Sequence, residues 1–210
     1  MKKTIFIFVL VFLCCMLYAE SFVESSLGFA FLSAKETAKI EGESITAKEK
    51  STALTADVTA MIFSGESRFG ADLGLSVLFP LSSSISGTEV DVDFFDCNLC
   101  PRIGLAWKTN LNKQLVMLSS AGYELMMNYD SESILGVTVR SFSLIHGIYA
   151  QDRLTYTMEE GISFNAGLFV YIPIIGTVKL SATGQGSEKI RMTYSGILLN
   201  PFIGIDIKTR

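Results

Sequence analysis

Residues 69–79 read FGADLGLSVLF and alternate between large apolar side chains and small or polar ones. Successive residues of a β-strand point to opposite faces of the sheet. One face of this segment is therefore apolar throughout, from Phe69 through Leu73 to Phe79. The opposite face is small or polar from Gly70 to Ser76. The pattern predicts a strand with one face toward an apolar environment and the other toward a narrow polar space.

The same two-faced pattern recurs and predicts eight strands. Their ranges are 22–32, 51–63, 69–79, 95–107, 113–129, 146–158, 162–172 and 193–207. The sixth is the least defined, because 133–144 is also compatible with an extended chain and a turn at Gln151-Asp152 would change the pairing. Short turns alternate with longer connections, which are 34–50, 81–94, 130–145 and 173–192. An even strand number with this alternation is typical of outer-membrane barrels.

Residues 1–19 have the form of an export signal. Lys2 and Lys3 precede the uncharged apolar run 5–17, and Ala19 stands where a signal peptidase would cut. The run is shorter than the roughly 20 residues that a membrane-spanning helix needs. We therefore predict a signal peptide over 1–19 and a barrel domain over 20–210.

A lipoprotein signal is the alternative interpretation of the same segment. Cys14 or Cys15 would then carry the lipid. The residues just before them, Phe12 and Leu13, are bulky where small residues are expected. The sequence therefore favours a cleaved export signal.

The composition excludes several classes of protein. Hydrophobic residues make up 49% of the chain and charged residues 18%, against a typical charged share of about 25%. No run of 18 apolar residues follows Leu17, so the apolar residues are spread through the alternation and no later spanning helix is available. The net charge of −4 becomes more negative once Lys2 and Lys3 are removed, which disfavours nucleic acid as a partner.

The polar face distinguishes a membrane barrel from a soluble one. A soluble lipocalin-type barrel also alternates, but with its apolar face inside and charged residues outside. Here the polar face is mostly Gly, Ser, Thr, Ala and Asn, which suit a narrow lumen. Aromatic residues on the apolar face lie near the strand ends, as in two interfacial girdles: Phe31, Phe79 and Tyr129, then Phe69 and Trp107. We predict an all-β, eight-stranded antiparallel up-and-down transmembrane barrel, surrounded by outer-membrane lipid.

Over its whole length the pattern resembles the small eight-stranded outer-membrane barrels of Gram-negative and spirochaetal bacteria, including opacity-like and outer-membrane protein W-like proteins. The resemblance implies insertion by the barrel assembly machinery. Such barrels usually finish on an aromatic residue that this machinery reads. This chain instead ends Ile207-Lys208-Thr209-Arg210, so either the assembly signal is atypical or the last strand stops near Ile207.

Six charged residues fall on the face predicted to line the lumen. Unpaired charges in such a narrow space would be costly, so we expect ion pairs between the arginines and the acids. The simplest interpretation is a structural plug of salt bridges, and the alternative is a charge-lined pore or gate. The residues are Glu24, Asp57, Asp72, Arg102, Glu124 and Arg153.

Cys97 and Cys100 form a C-x-x-C motif without the βαβ context of a redox motif. In a regular strand they would face opposite ways, roughly 10 Å apart, whereas a bend at the rim would permit a disulfide. We expect either a structural disulfide or two free thiols. With His146 as the only histidine, neither a metal site nor another cofactor is expected.

Catalysis by His146 is a weaker hypothesis. Lipid-modifying barrels use a histidine with a serine and an acid, and Ser141 and Ser143 lie nearby in sequence. The deacylase pattern of His followed two places later by Ser is absent, because Ile148 occupies that position.

The sequence therefore favours a non-enzymatic outer-membrane barrel whose long loops bind host or environmental molecules. The alternative is a small pore or transporter for small hydrophobic molecules, with Phe169, Tyr171 and Phe202 lining an apolar part of the lumen.

Overall fold

The computed structural model describes residues 19–40, 43–64, 66–134, 137–158, 162–182 and 187–209. Its strands are β1 (Ala19–Ile40), β2 (Glu43–Ser64), β3 (Phe69–Ile85), β4 (Thr88–Val90), β5 (Asn98–Asn110), β6 (Leu115–Ile134), β7 (Val137–Thr157), β8 (Ile162–Ala182) and β9 (Ser187–Thr209). No helix in the described ranges is long and apolar enough to cross a bilayer. The predicted signal peptide lies outside these ranges except for Ala19, where β1 begins.

Eight long antiparallel strands close into a barrel, as the sequence predicts. The order is β2-β1-β9-β8-β7-β6-β5-β3, and β2 pairs with β3 to complete the ring. The short β4 adds to the outer end of β3. We followed register partners from strand to strand around the ring, starting at Phe31 on β1. The path returns to β1 at Ser21, ten residues earlier in the chain. Such a stagger requires tilted strands, and eight of them leave an interior just wide enough for side chains.

The apolar faces of the strands point outward. Leu27 is 67% exposed, Leu105 72% and Ile203 71%. An exterior of this size and polarity is stable against hydrocarbon and not against water. The strand faces assigned from the alternation are confirmed. β7 runs unbroken through Gln151 and Asp152, so the alternative with a turn at these two residues does not hold.

The strands extend further at the long-loop end than the sequence predicts. Three of the four segments predicted as long loops, 34–50, 130–145 and 173–192, are mostly strand. The prediction is wrong there because polar residues lie on both faces of most of these extensions, so no continuous apolar face marks them. The main-chain ladder still continues, for example from Lys35 opposite Lys48 to Ile40 opposite Glu43.

Inward-facing glycines make room for large side chains of the next strand. A Cβ on Gly74 would lie 2.5 Å from the Arg102 Nε, and one on Gly147 would lie 2.4 Å from the Tyr171 ring. Distances under 3.0 Å cannot be accommodated without movement. At the level of Gly74 and Gly147, large side chains therefore pack directly against the backbone of the barrel wall.

Candidate functional site

Arg102 is the centre of a buried polar cluster in the lumen. From β5 it reaches Asp57 on β2, with Nη1 2.6 Å from one carboxylate oxygen and Nη2 2.8 Å from the other. Its Nη1 also donates to the Ser76 hydroxyl at 2.8 Å, and its Nη2 to the Thr59 hydroxyl. Because β3 separates the two strands in the sheet, this bidentate pair ties together strands that share no ladder.

Aromatic rings close over the guanidinium of Arg102. Its Cζ lies 5.1 Å from the centre of the Phe169 ring and 5.7 Å from that of Tyr149. The Tyr149 hydroxyl donates to Asp72 at 2.6 Å. The predicted residues Arg102, Asp57 and Asp72 are thus brought together, with Tyr149 as the link that the sequence does not reveal.

Arg153 forms a second buried cluster. It pairs with Glu24 on β1 and, at 3.3 Å, with Asp206 on β9. The side chains of all three have no exposed surface. Asp206 also accepts a hydrogen bond from the Thr155 hydroxyl at 2.9 Å. The alternation places Asp206 in the lumen, but its pairing with Arg153 depends on the register between β7, β8 and β9, which the pattern of one strand does not show.

A third ion pair lies near the short-turn end, between residues that are not among the six predicted charges. Lys108 pairs with Glu20, and its Nζ lies 5.1 Å from the centre of the Phe63 ring. The signal was present in the alternation, since Lys108 follows the inward-facing Arg102 by an even number of residues. Lys108 lies one residue past the predicted end of the fourth strand, 107, so the predicted strand does not include it.

Glu124 is the exception among the six predicted charges. It is only 2% exposed and is the register partner of Arg102. Within the described residues it forms no salt bridge, and its Oε2 has no hydrogen-bond partner. The Arg102 guanidinium turns away from it toward Asp57. Glu124 is therefore beside the network rather than part of it.

Apolar layers complete the closure of the lumen. One, at the short-turn end, consists of Phe22, Met61, Phe63, Ala106 and Leu118. The other contains Leu78, Tyr149, Phe169, Tyr171 and Phe202 among its members. Phe169 and Tyr149 stack with ring centres 5.6 Å apart. Together with the ion pairs, these layers fill the lower and middle lumen.

Above this filling, the lumen opens into a cavity of about 440 Å³ at the long-loop end. Ala30, Leu78, Met126 and Leu198 form part of its apolar floor and belong to the layer beneath. Five carboxylates lie on its walls, and none of the described residues that line it is a lysine or an arginine. The acids are Glu36, Glu49, Asp91, Asp96 and Asp130.

Two of these acids, Glu36 on β1 and Glu49 on β2, are diagonal neighbours on adjacent strands, beyond the apolar belt. Burial of Glu36, together with a hydrogen bond and charge repulsion from Glu49, raises the pKa of Glu36 to about 8. The pair therefore holds a proton near neutral pH. The wall of the cavity becomes more negative as the pH rises above that value.

The remaining candidate residues are the two cysteines and His146 with its neighbour Ser143. Cys97 and Cys100 are free thiols, with Cys100 buried in the lumen. His146 hydrogen-bonds the Tyr123 hydroxyl, and the alternation of β7 places it on the outer wall, whereas Ser143 lines the cavity. No group of three or more His, Cys, Asp or Glu residues in the described ranges is placed to hold a metal ion.

No protein-family model matches the sequence, and no curated protein matches it. Solved structures match its fold. The outer membrane protein OprG from Pseudomonas aeruginosa is 12% identical, with 90% of this chain and 96% of that chain covered and a TM-score of 0.55. The outer membrane protein AlkL, solved in DMPC bilayers, is 14% identical, with 90% and 91% covered and a TM-score of 0.52.

The outer membrane protease OmpT from Escherichia coli is also similar, at 9% identity, with 90% of this chain and 97% of that chain covered and a TM-score of 0.51. Identities this low show the fold alone. The chain has the fold of the bacterial outer-membrane β-barrels, as the resemblance predicts. Because a protease shares this fold, the fold by itself assigns no activity.

Proposed function

We propose that this chain is a closed, non-enzymatic outer-membrane barrel that presents a ligand-binding cavity to the outside. The outward apolar belt and the fold support its location in the outer membrane. The observation that carries the proposal is the filled lumen directly beneath an open cavity. A ligand entering from the long-loop end meets an apolar floor backed by Tyr149 and Phe169, and the Arg102 guanidinium lies against the same two rings.

The lining of the cavity determines the ligand class. A cavity of about 440 Å³ is within the range of small-molecule sites, which are mostly apolar with a few polar groups. Its floor favours a compact apolar body. Its five carboxylates, without a lysine or arginine among the lining residues, disfavour an anion. We therefore expect neutral or cationic small molecules and no acidic ones.

Passage of small apolar molecules is the second candidate function. Next to the cavity floor the β8–β9 ladder is interrupted between Tyr171 and Ile175, where Pro173 lies. Pro173 has no backbone N–H to donate to a ladder. A gap here would let an apolar molecule leave sideways through the wall, without crossing the filled lumen.

Binding of three matched probes tests the proposal. The refolded chain in phosphatidylcholine nanodiscs is titrated with 1-adamantanol, 1-aminoadamantane and 1-adamantanecarboxylate by calorimetry. The proposal predicts binding of the alcohol and the amine but not the acid. Ala30→Phe, which fills the floor, removes this binding, whereas Ala56→Phe on the outward face of β2 leaves it intact.

Vesicles separate the two candidate functions. Binding without accelerated entry of 1-adamantanol into vesicles supports a closed receptor. Accelerated entry supports passage instead. If no probe binds and none crosses, neither function of the cavity is correct.

A further inference from the structure

The basic side chains at the long-loop end all lie on the outer face of the barrel. The acids Glu36 and Glu49 line the cavity. Their chain neighbours Lys35, Lys48 and Lys50 point the other way because strand residues alternate. The same holds on β7, β8 and β9, and every member of the set is exposed: Lys35, Lys39, Lys48, Lys50, Arg140, Lys179, Lys189 and Arg191.

Two pairs of these lysines stand directly opposite each other. Lys35 is the register partner of Lys48, and Lys179 is the register partner of Lys189. Directly opposed residues have Cβ atoms about 4.5–5.5 Å apart, and like charges in this arrangement destabilise a sheet. Across the part of the chain that the structure describes, the salt bridges involve Arg102, Lys108 and Arg153, and none reaches these four lysines. Each pair therefore lacks the anion that would relieve it.

The lysines and arginines lie just beyond the apolar belt. Lys35 follows Phe31, which is 48% exposed, by four residues, and Lys179 follows Ile175, which is 53% exposed, by four. Arg140 precedes the exposed Phe142 by two residues. A strand advances about 3.3 Å per residue, so Lys35 and Lys179 lie about 13 Å along tilted strands from these exposed apolar residues. We expect lipid headgroups at that level.

The cations form one patch on one side of the barrel. The strands that carry them, β7, β8, β9, β1 and β2, are consecutive in the ring. The strands β3, β4 and β6 contain no lysine or arginine. A cluster of four to eight basic residues beside a membrane segment is a recognised binding surface for anionic lipid headgroups. The basic patch therefore extends from β7 to β2 and ends at those two strands.

We propose that this patch binds the phosphate groups of the lipids around the long-loop end, with each opposed lysine pair, Lys35–Lys48 and Lys179–Lys189, clasping one phosphate. An anion between two ammonium groups replaces their repulsion with two attractions. The lipid's acyl chains then lie along the apolar belt below. This site lies on the outer face of the barrel and is separate from the cavity. The test of lipid binding is therefore independent of the ligand proposed for the cavity.

Native mass spectrometry tests this inference with defined lipids. The refolded chain without 1–19 is mixed with equal amounts of dioleoyl phosphatidic acid and dioleoyl phosphatidylcholine in a nonionic detergent. Wild type should retain phosphatidic acid over phosphatidylcholine by about tenfold or more, as several basic residues beside an anionic headgroup imply. Lys35→Gln/Lys48→Gln/Lys179→Gln/Lys189→Gln should lose that preference. Replacing the same four by arginine should keep it.

Control measurements make every outcome decisive. The exposed pair Arg68→Gln/Lys113→Gln removes two charges at the short-turn end and should leave the preference unchanged. Altered mobility on heating shows that each variant is folded before lipids are added. Equal retention of the two lipids by wild type, or an unchanged preference in the four-glutamine variant, overturns the inference. So does loss of the preference when inorganic phosphate is added at low millimolar concentration, since the site would then serve free phosphate.

Discussion

Arg102 and Asp57 clasp each other across the lumen with two hydrogen bonds of 2.6 and 2.8 Å, although β3 separates their strands. Their side chains are 2% and 9% exposed. A buried charge of this kind is tolerable only while its partner remains, because the cost of removing it from water is not otherwise offset. Substitution of only one member of the pair should therefore destabilise the barrel.

Arg102→Ala should destabilise the barrel by about 3–5 kcal/mol, because it leaves Asp57 buried and unpaired. Urea unfolding of the barrel in phospholipid vesicles, followed by heat-sensitive mobility, measures the change. Arg102→Ala/Asp57→Ala should recover part of the loss. A double variant that is as unstable as the sum of the two single variants would mean that the two residues are not coupled.

Glu124→Gln should leave stability unchanged or raise it. Glu124 is buried without a salt bridge within the described residues, so removing its charge removes a desolvation cost and breaks no ion pair. Asp57→Asn is the matched comparison, because it has the same change of chemistry inside the Arg102 cluster. We expect Asp57→Asn to lower the urea midpoint and Glu124→Gln not to. The reverse order would show that Glu124, not Asp57, is the partner of Arg102.

Gly147→Ala should destabilise the barrel by about 1–3 kcal/mol through overpacking. A Cβ there would lie 2.4 Å from the Ile172 carbonyl oxygen and 2.4 Å from the Tyr171 ring. Ala150→Val adds volume to the same strand on the outward face and should cost little. Urea midpoints of the two variants provide the comparison. Equal midpoints would show that the lumen has room for an additional methyl group at Gly147.

The outer end of β1 and β2 should loosen as the pH rises. Folding raises the pKa of Glu36 to about 8, mainly by burial, from an unfolded value near 4.5. The stability that this shift contributes is therefore complete below about pH 4.5 and is lost as the pH rises through about 8. Hydrogen exchange of 34–50, corrected for the intrinsic rate, should show weaker protection at pH 9 than at pH 6. Glu36→Gln should flatten that difference, while the exposed Glu66→Gln should not.

The alternation of side chains was enough to predict the ring of strands and the inward position of the charges. Arg102, Asp57 and Arg153 all lie in the lumen because an even spacing in a strand returns to the same face. Which acid pairs with which arginine could not be predicted from the sequence, because the register between strands decides it and the alternation within one strand does not show register. The alternation predicts a loop at Lys35 and Lys48 because polar residues occupy both faces of their strands there, so no apolar face marks a strand.

Single-channel recording in planar bilayers tests the filled lumen most directly. The refolded wild-type chain, shown to be inserted by its altered mobility on heating, should give no conductance steps at any applied voltage. The Arg102 and Arg153 clusters and the aromatic layer occupy the lumen, so we expect no continuous aqueous path through it. Stable steps from the wild-type protein would contradict a closed barrel and would make the cavity the mouth of a pore.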